Sequence, residues 1–409
     1  MLSTTKFEQL GLIEPILRVC AEEQFNHPTE IQEKAIPHII EGRDVIGEAA
    51  TGSGKTLAFA SGIIQQSYKG QGVQALVITP TRELAHQVSD MINGLSKHKF
   101  LRVVSVYGGV SINPQIRALR KADVVIATPG RLLDHINRGT IKLNRIKIFV
   151  LDEGDLLLDM GFIPDIKKIA VKLPRNRQTL LFSATISYDI NMLAERFMDN
   201  PVLVEAKSYV DPHLLTQVYY DVKDSLKLSL LVHLLQQNKG EGLSLIFCNT
   251  RKYSDFVTKS LKNAGIDATV LHGGYSQYER SKRLNKFYSH ELKVLVATDV
   301  AARGLDIQGV SYVYNYDLPD TFKQYIHRIG RTARAGESGK AITLVSGRDE
   351  SRFSSLFRYN HVKIHKRKTP YIKKIQSIDV NSSNSSSNKR KSSNRQDRRR
   401  KKRRSNYRY

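Results

Sequence analysis

The sequence predicts an α/β protein with two tandem domains, each a parallel sheet flanked by helices. Three observations carry that expectation. The 409 residues exceed one ordinary domain and suit two of about 150 to 200 residues. Short runs rich in Val, Ile and Leu alternate with amphipathic stretches along most of the chain, the pattern of doubly covered parallel strands. That alternation pauses once, over NPVLVEAKSYVDPHLLT (200–216), and then resumes as a second series.

The first series runs DVIGEA (44–49), ALVITPTREL (75–84), RVVSVYGG (102–109), DVVIATPGRL (123–132), IFVLDEGD (148–155) and QTLLFSAT (178–185). The second runs SLIFCNTR (244–251), ATVLHGG (268–274), VLVATDVAARG (294–304) and YVYNYDLP (312–319). No solenoid-period repeat is present, although the two series are similar enough for the halves to share a fold. The expected boundaries are a first domain at 1–205, a linker at 206–214, a second domain at 215–365 and a tail at 366–409.

Hydrophobic residues make up 40% of the chain, enough for real cores, and no run approaches the roughly 18 uninterrupted apolar residues of a membrane helix. The opening MLSTTKFEQLGLIEP has no secretory pattern, and two cysteines, Cys20 and Cys248, are too few for a disulfide framework. A soluble monomer in a reducing, cytoplasmic compartment is expected, with a nuclear or nucleolar location the alternative in a eukaryote.

The net charge is +25, and its distribution is uneven. Residues 381–409 hold twelve Lys or Arg against Asp397 alone, a net +11, which leaves +14 on the other 380 residues. A basic body fits a polyanionic partner. The Ser-, Asn-, Arg- and Lys-rich tail cannot bury enough apolar surface to offset the entropy of ordering it, so disorder and a non-specific nucleic-acid tether are expected there.

AATGSGKT (49–56) follows a strand-like run and opens a helical one. Such a loop, Ala50, Thr51, Gly52, Ser53 and Gly54, turns backbone N–H groups toward phosphate oxygens at a helix N-terminus; Lys55 would reach the β and γ phosphates and Thr56 would offer its hydroxyl to Mg²⁺. IFVLDEGD then places Asp152, Glu153 and Asp155 within four positions of a strand end, where only a cation can compensate them. Both motifs fall at carboxyl ends of strands, where open α/β sheets bind ligands. Asp152 would hold the water shell of Mg²⁺, and Glu153 would orient and deprotonate an attacking water.

With these residues in place the chain, from about Lys6 to Ser346, resembles a DEAD-box ATP-dependent RNA helicase of superfamily 2, with DEGD for DEAD. The resemblance implies two RecA-like domains. QFNHPTEIQ (24–32) resembles the Q motif, which implies Phe25 stacking on adenine, Gln32 bonding its edge and Phe7 as the upstream aromatic. PTRELA (80–85), Gly108 with Gly109, and TPGR (128–131) imply RNA contacts from Thr81, Arg82, Thr128 and Arg131. In the second half, FCNTR, QYER, ATDVAARGLD and HRIGRTARAG imply RNA contacts from Thr250, Arg251, Arg280 and Thr298, a ribose contact from Asp306, and Arg331 and Arg334 at the γ-phosphate. Ser183 and Thr185 of SAT, with Asp155 and His327, would couple hydrolysis to strand separation.

The implied activity is RNA-stimulated ATP hydrolysis that closes the two domains and separates short duplexes locally. An ATP-gated RNA clamp and a DNA translocase use the same core chemistry, and differ in duplex separation and in preference for 2′-hydroxyls. Gly154, Ala50, Leu156, Ala333 and Gly274 depart from the family pattern without removing a named charge.

Overall fold

The computed structural model describes residues 6–50, 52–206, 214–238, 242–302, 309–333, 337–358 and 364–375. They form two lobes, each around one seven-stranded parallel sheet. Lobe 1 contains β1 (Val45–Glu48), β2 (Ala75–Ile78), β3 (Val103–Val106), β4 (Val124–Ala127), β5 (Ile148–Leu151), β6 (Gln178–Ser183) and β7 (Val202–Glu205). Lobe 2 contains β8 (Leu215–Asp221), β9 (Leu243–Phe247), β10 (Ala268–Leu271), β11 (Val294–Ala297), β12 (Val310–Asn315), β13 (Gly339–Val345) and β14 (His365–Arg367). The sheet orders are β3-β4-β2-β5-β6-β1-β7 and β10-β11-β9-β12-β13-β8-β14, the same order when the second set is counted from β8.

The strands read as unbroken apolar runs because both of their faces are covered. Ala75 and Val77 of β2, with Ile148 and Val150 of β5, enter one core cluster. Their neighbours Leu76, Ile78, Phe149 and Leu151 enter the cluster on the opposite face. Strand periodicity of two thus feeds two helical layers, each buried aliphatic side chain stabilising the fold by about 1.5–3 kcal/mol. Lobe 2 repeats the scheme, with Ile246 and Tyr314 on one face and Leu245 and Val313 on the other.

Three expectations about boundaries change. The pause at 200–216 contains β7 and the first two residues of β8: β7 pairs with β1, and β8 pairs with β13 and β14. β7 is a four-residue edge strand, Val202–Glu205, and lobe 1 continues to the buried Ala206. The 365/366 boundary falls inside β14, and the chain stays against lobe 2 as far as Ile375, whose N–H donates to Ser229 Oγ at 2.9 Å. Residues 376–409, where the tail was expected to be disordered, lie outside the described residues, as do linker positions 207–213.

Cys20 and Cys248 are buried and free. Among the described residues no helix is long and apolar enough to cross a membrane.

Candidate active site and nucleic-acid interface

In lobe 1 the carboxyl ends of β5, β6 and β1 stand side by side. β1 delivers the glycine loop, β5 the acidic residues and β6 Ser183. Neighbouring strands lie about 4.8 Å apart, so β1 and β5 are separated by about 10 Å, a span that long side chains close. Lys55 closes it, with Nζ 3.1 Å from Glu153 Oε1 and both side chains buried. Burial disfavours the Lys55 ammonium, but Glu153, Asp152 and Asp155 outweigh it and raise its pKa.

The loop that carries the acids is strained. Glu153 takes φ 52° and ψ 53°, left-handed values that cost a non-glycine residue about 1 kcal/mol or more. Gly154 begins the helix Gly154–Asp159, and a Cβ there would stand 3.1 Å from Ile190 Cδ1. Burial raises the Glu153 carboxyl, but Lys55 first, then Arg331 and His327, bring it below its ordinary value. Burial pushes Asp152 up to about 7, and Lys55 only partly offsets that effect. The pocket therefore holds more negative charge than its lysine compensates.

A hard cation with oxygen ligands suits that surplus. Mg²⁺ is bound through one or two carboxylates and completes its shell with waters and substrate phosphates. Asp152 and Thr56 are the residues here that fit it.

Asp155 is the node between the lobes. Its N–H donates to Ser183 Oγ at 3.1 Å, Ser183 Oγ donates to Thr185 O at 2.8 Å, and Thr185 Oγ1 donates to Asp155 Oδ2 at 3.3 Å. From lobe 2, Lys323 Nζ lies 3.7 Å from the same Oδ2. His327 Nε2 lies 3.3 Å from it, an electrostatic contact without the alignment of a hydrogen bond. Burial alone would raise the Asp155 carboxyl, yet His327, Lys323 and Lys55 hold it well below the carboxylate range. Lys323 adds a second contact, 3.3 Å to Asp159. Lys323 has no motif signal, so sequence reasoning missed it.

Both Arg331 and its neighbour Arg328 are buried, with different partners. Arg331 Nε donates to His327 O at 3.2 Å, and its charge acts on Glu153. Arg328 is the support that sequence reasoning missed. It binds both oxygens of Asp299 at 2.6 Å, Asp317 O at 2.6 Å and Asn249 Oδ1 at 2.9 Å, tying the Thr298 and Thr250 turns together. Arg334, Asp306 and Thr51 lie outside the described residues.

Gln32, expected at the adenine edge, also holds the glycine loop. It is 5% exposed, its Nε2 donates to Gly54 O at 3.1 Å, and its Oε1 accepts from Thr29 N at 2.9 Å. Its amide thus fastens the glycine loop to the helix Glu30–Ile40. Phe25 remains 43% exposed, while Phe7 is buried in the core.

On the other side of the acidic loop, Thr81, Arg82, Gly108, Thr128 and Arg131 of lobe 1 line one groove of about 510 Å³ with Gly273, Tyr275 and Arg280 of lobe 2. Thr81 begins the helix Arg82–Leu95, its Oγ1 accepting from Leu84 N, and Thr250 begins Arg251–Asn263 in the same way. Each helix then presents an arginine to a glycine pair: Arg82 covers Gly109, and Arg251 covers Gly273 and Gly274. At Gly109, φ 79° favours glycine, and a Cβ would fall 2.0 Å from the Arg82 guanidinium and displace it.

Arg280 lines the groove with its guanidinium already paired. Its guanidinium lies 3.0 Å from Glu83 Oε1 across the lobes, beside a Gln277 Nε2 hydrogen bond of 3.2 Å to the same oxygen. Thr250, Arg251 and Thr298 stand outside the lining of the groove.

Known proteins agree with this arrangement. Residues 29–193 match the DEAD/DEAH box helicase family, and residues 226–336 match the helicase conserved C-terminal domain. The ATP-dependent RNA helicase CshA of Listeria monocytogenes is 47% identical over 348 residues, 84% of this chain and 67% of that protein. The structure of S. cerevisiae Dbp5 bound to RNA and ADP BeF3 is 32% identical and superposes with a TM-score of 0.82, covering 89% of this chain and 96% of that one. A DEAD box protein from the hyperthermophile Methanococcus jannaschii is 39% identical over 89% of this chain and 99% of its own, yet its TM-score is 0.54. The chain belongs to the DEAD-box family of ATP-dependent RNA helicases, enzymes that bind RNA and hydrolyse ATP.

Proposed function

We propose that ATP hydrolysis in the lobe 1 pocket is switched on by closure of lobe 2 over it, and that RNA bound across the groove holds the lobes closed. The observation that carries this reading is the Asp155 node. One buried carboxylate carries Ser183 and Thr185 of its own lobe, with Lys323 and His327 of the other. A ligand that binds both lobes stabilises these contacts by its differential affinity for the closed form.

The glycine loop at 50–54 and the N-terminus of the helix Lys55–Gln66 bind the phosphates, and Lys55 moves from Glu153 to the phosphate oxygens. Glu153, released from Lys55, would orient the attacking water and accept its proton. Mg²⁺ held by Thr56 and Asp152 would supply charge neutralisation between phosphate oxygens. Arg331, and Arg334 with it, would place positive charge where the transferring phosphoryl group becomes more negative. Phe25 would stack on the adenine; Gln32 supports that pocket by holding Gly54 and the Thr29 turn together. Asp306 would meet the ribose.

Thr81, Arg82, Gly108, Gly109, Thr128 and Arg131, with Thr250, Arg251, Arg280 and Thr298, would bind the RNA backbone, and Asp155 with Ser183, Thr185 and His327 would report closure to the acids. Closure over a bent strand separates a few base pairs, and hydrolysis releases them. The tail would tether RNA nearby, and the chain would act as a cytoplasmic monomer. Steady-state ATPase measured with and without single-stranded RNA tests the reading. Turnover should rise with RNA and be lost in Glu153→Gln; turnover indifferent to RNA would overturn it.

A further inference from the structure

Beyond the groove, lobe 2 carries a second strongly basic surface, on a segment that is ordered. β14 is an edge strand with all three residues exposed, and the chain after it is pinned at intervals. Thr369 Oγ1 donates to Asp221 O at 2.7 Å, Ile372 packs against the lobe 2 core, and Ile375 N donates to Ser229 Oγ at 2.9 Å. These anchors turn Lys366, Arg367, Lys368, Lys373 and Lys374 outward, together with Tyr371, which is 91% exposed. Lys366 pairs with Asp221 at 3.2 Å, and no acid among the described residues pairs with the other four cations.

Five exposed cations and an exposed aromatic ring on one ordered strap match an anion that carries flat bases, and a nucleic-acid strand offers both. The strap rounds the carboxyl end of β8 and stops in the first turn of the helix Lys227–Gln237. Thr250 and Arg251 follow the carboxyl end of β9, at the same end of this parallel sheet. β14 is four strand intervals from β9, or about 19 Å.

We propose that the strap 365–374 is an accessory RNA-backbone contact, which takes up single strand emerging from the groove, with Tyr371 stacking on a base. This rests on the RNA-helicase reading, and adds to it a site that is separate from the tail at 376–409. A protein strand added to the β14 edge is the competing occupant.

The test is RNA binding by the full chain carrying Arg367→Gln, Lys368→Gln, Lys373→Gln and Lys374→Gln, titrated against salt with 8-nucleotide and 25-nucleotide single strands. For the 25-mer, affinity should fall roughly tenfold or more and the log–log salt slope should flatten by about 3, near 0.7 per lost phosphate contact. The 8-mer should keep its affinity and its slope. Tyr371→Ala should weaken the 25-mer a few-fold with the slope retained, because stacking releases no counterions. The slope change should persist when Lys and Arg at 389–404 are replaced by Gln. Unchanged 25-mer binding, equal loss on both oligomers, or an effect that vanishes with the tail charges would each overturn the proposal. Failure of the helicase reading would show separately, as turnover of the unsubstituted protein that the 8-mer does not raise.

Discussion

The two lobes have the same strand order but opposite chemistry at equivalent places. After β1 the chain forms a glycine loop and enters its helix at Lys55, beside the acids that follow β5. After β8, the equivalent strand, there is a short 3-10 turn, Asp224–Leu226, and the helix begins at Lys227. Lys227 is as buried as Lys55, but its partner is Asp349 at 3.0 Å and its ammonium lies over the Tyr316 ring. Arg348 occupies Asp224, and the strap closes over Ser229. On the proposed reading, one copy of the fold keeps a phosphate cradle at its glycine loop, while the other fills the equivalent place with its own side chains and brings cations to its neighbour. What they share is the Thr–Arg turn against a glycine pair, whose cap angles are nearly the same: φ −126°, ψ 157° at Thr81 and φ −127°, ψ 152° at Thr250. On the same reading, the duplicated feature would face a repetitive ligand, a sugar–phosphate backbone, and the feature that differs would meet a single nucleotide.

Substitutions at matched positions sharpen that contrast. The largest effect should come from the two equivalent lysines. Lys55→Ala should lower RNA-stimulated turnover by at least about 10³-fold, whereas Lys227→Ala should leave turnover in place and cost about 2 kcal/mol of stability, read as a lower melting temperature. Equal kinetic losses would break the assignment of one open and one filled cradle. Next come the two arginines of HRIGR. Arg331→Ala should cost about 10³-fold in kcat with the melting temperature nearly unchanged, as expected for charge placed on a transition state. Arg328→Ala, which strands Asp299 in a buried network, should cost about 3 kcal/mol and unfold lobe 2 first, seen by thermal melting of the two lobes.

Smaller effects are expected at the node. Lys323→Ala removes one of the cations on Asp155 and should raise the RNA concentration for half-maximal ATPase by roughly threefold to tenfold, since closure loses part of its electrostatic support. An unchanged half-saturation point would remove Lys323 from the closure contacts. The smallest belongs to Gly154. A Cβ there gains helix stability of about 0.5–1 kcal/mol but meets Ile190 Cδ1 at 3.1 Å, so Gly154→Ala should lie within about 0.5 kcal/mol of the parent. With Ile190→Val added, chemical denaturation should show Gly154→Ala as stabilising; a stabilising effect already in the single variant would mean that Ile190 gives way freely.

Much of this was legible in the sequence where burial is complete. β2, β4, β5, β9 and β11 are apolar on both faces, so their runs stand out, and AATGSGKT and DEGD follow directly from strand ends. The edge strand β14 was not legible, because its residues His365, Lys366 and Arg367 are polar and exposed and only backbone pairing to β8 holds them, which gives no apolar run to read. The Asp155, Lys323 and His327 node was half legible: motif resemblance pointed to His327, but a contact between residues about 170 positions apart leaves no local periodicity, and Lys323 had no motif to mark it. Gln32 was found as a site residue, yet its amide meets Gly54 and Thr29, a tertiary arrangement that spacing does not encode.

Interlobe distance followed by single-molecule energy transfer tests the central claim most directly, with dyes on the helices Arg82–Leu95 and Arg251–Asn263. A persistent short distance should require a non-hydrolysable ATP analogue and RNA together, and Arg331→Ala should leave that closed state populated while abolishing turnover. A closed state that forms equally well without RNA, or turnover that proceeds while the lobes stay apart, would contradict the claim that lobe 2 completes the site only on closure.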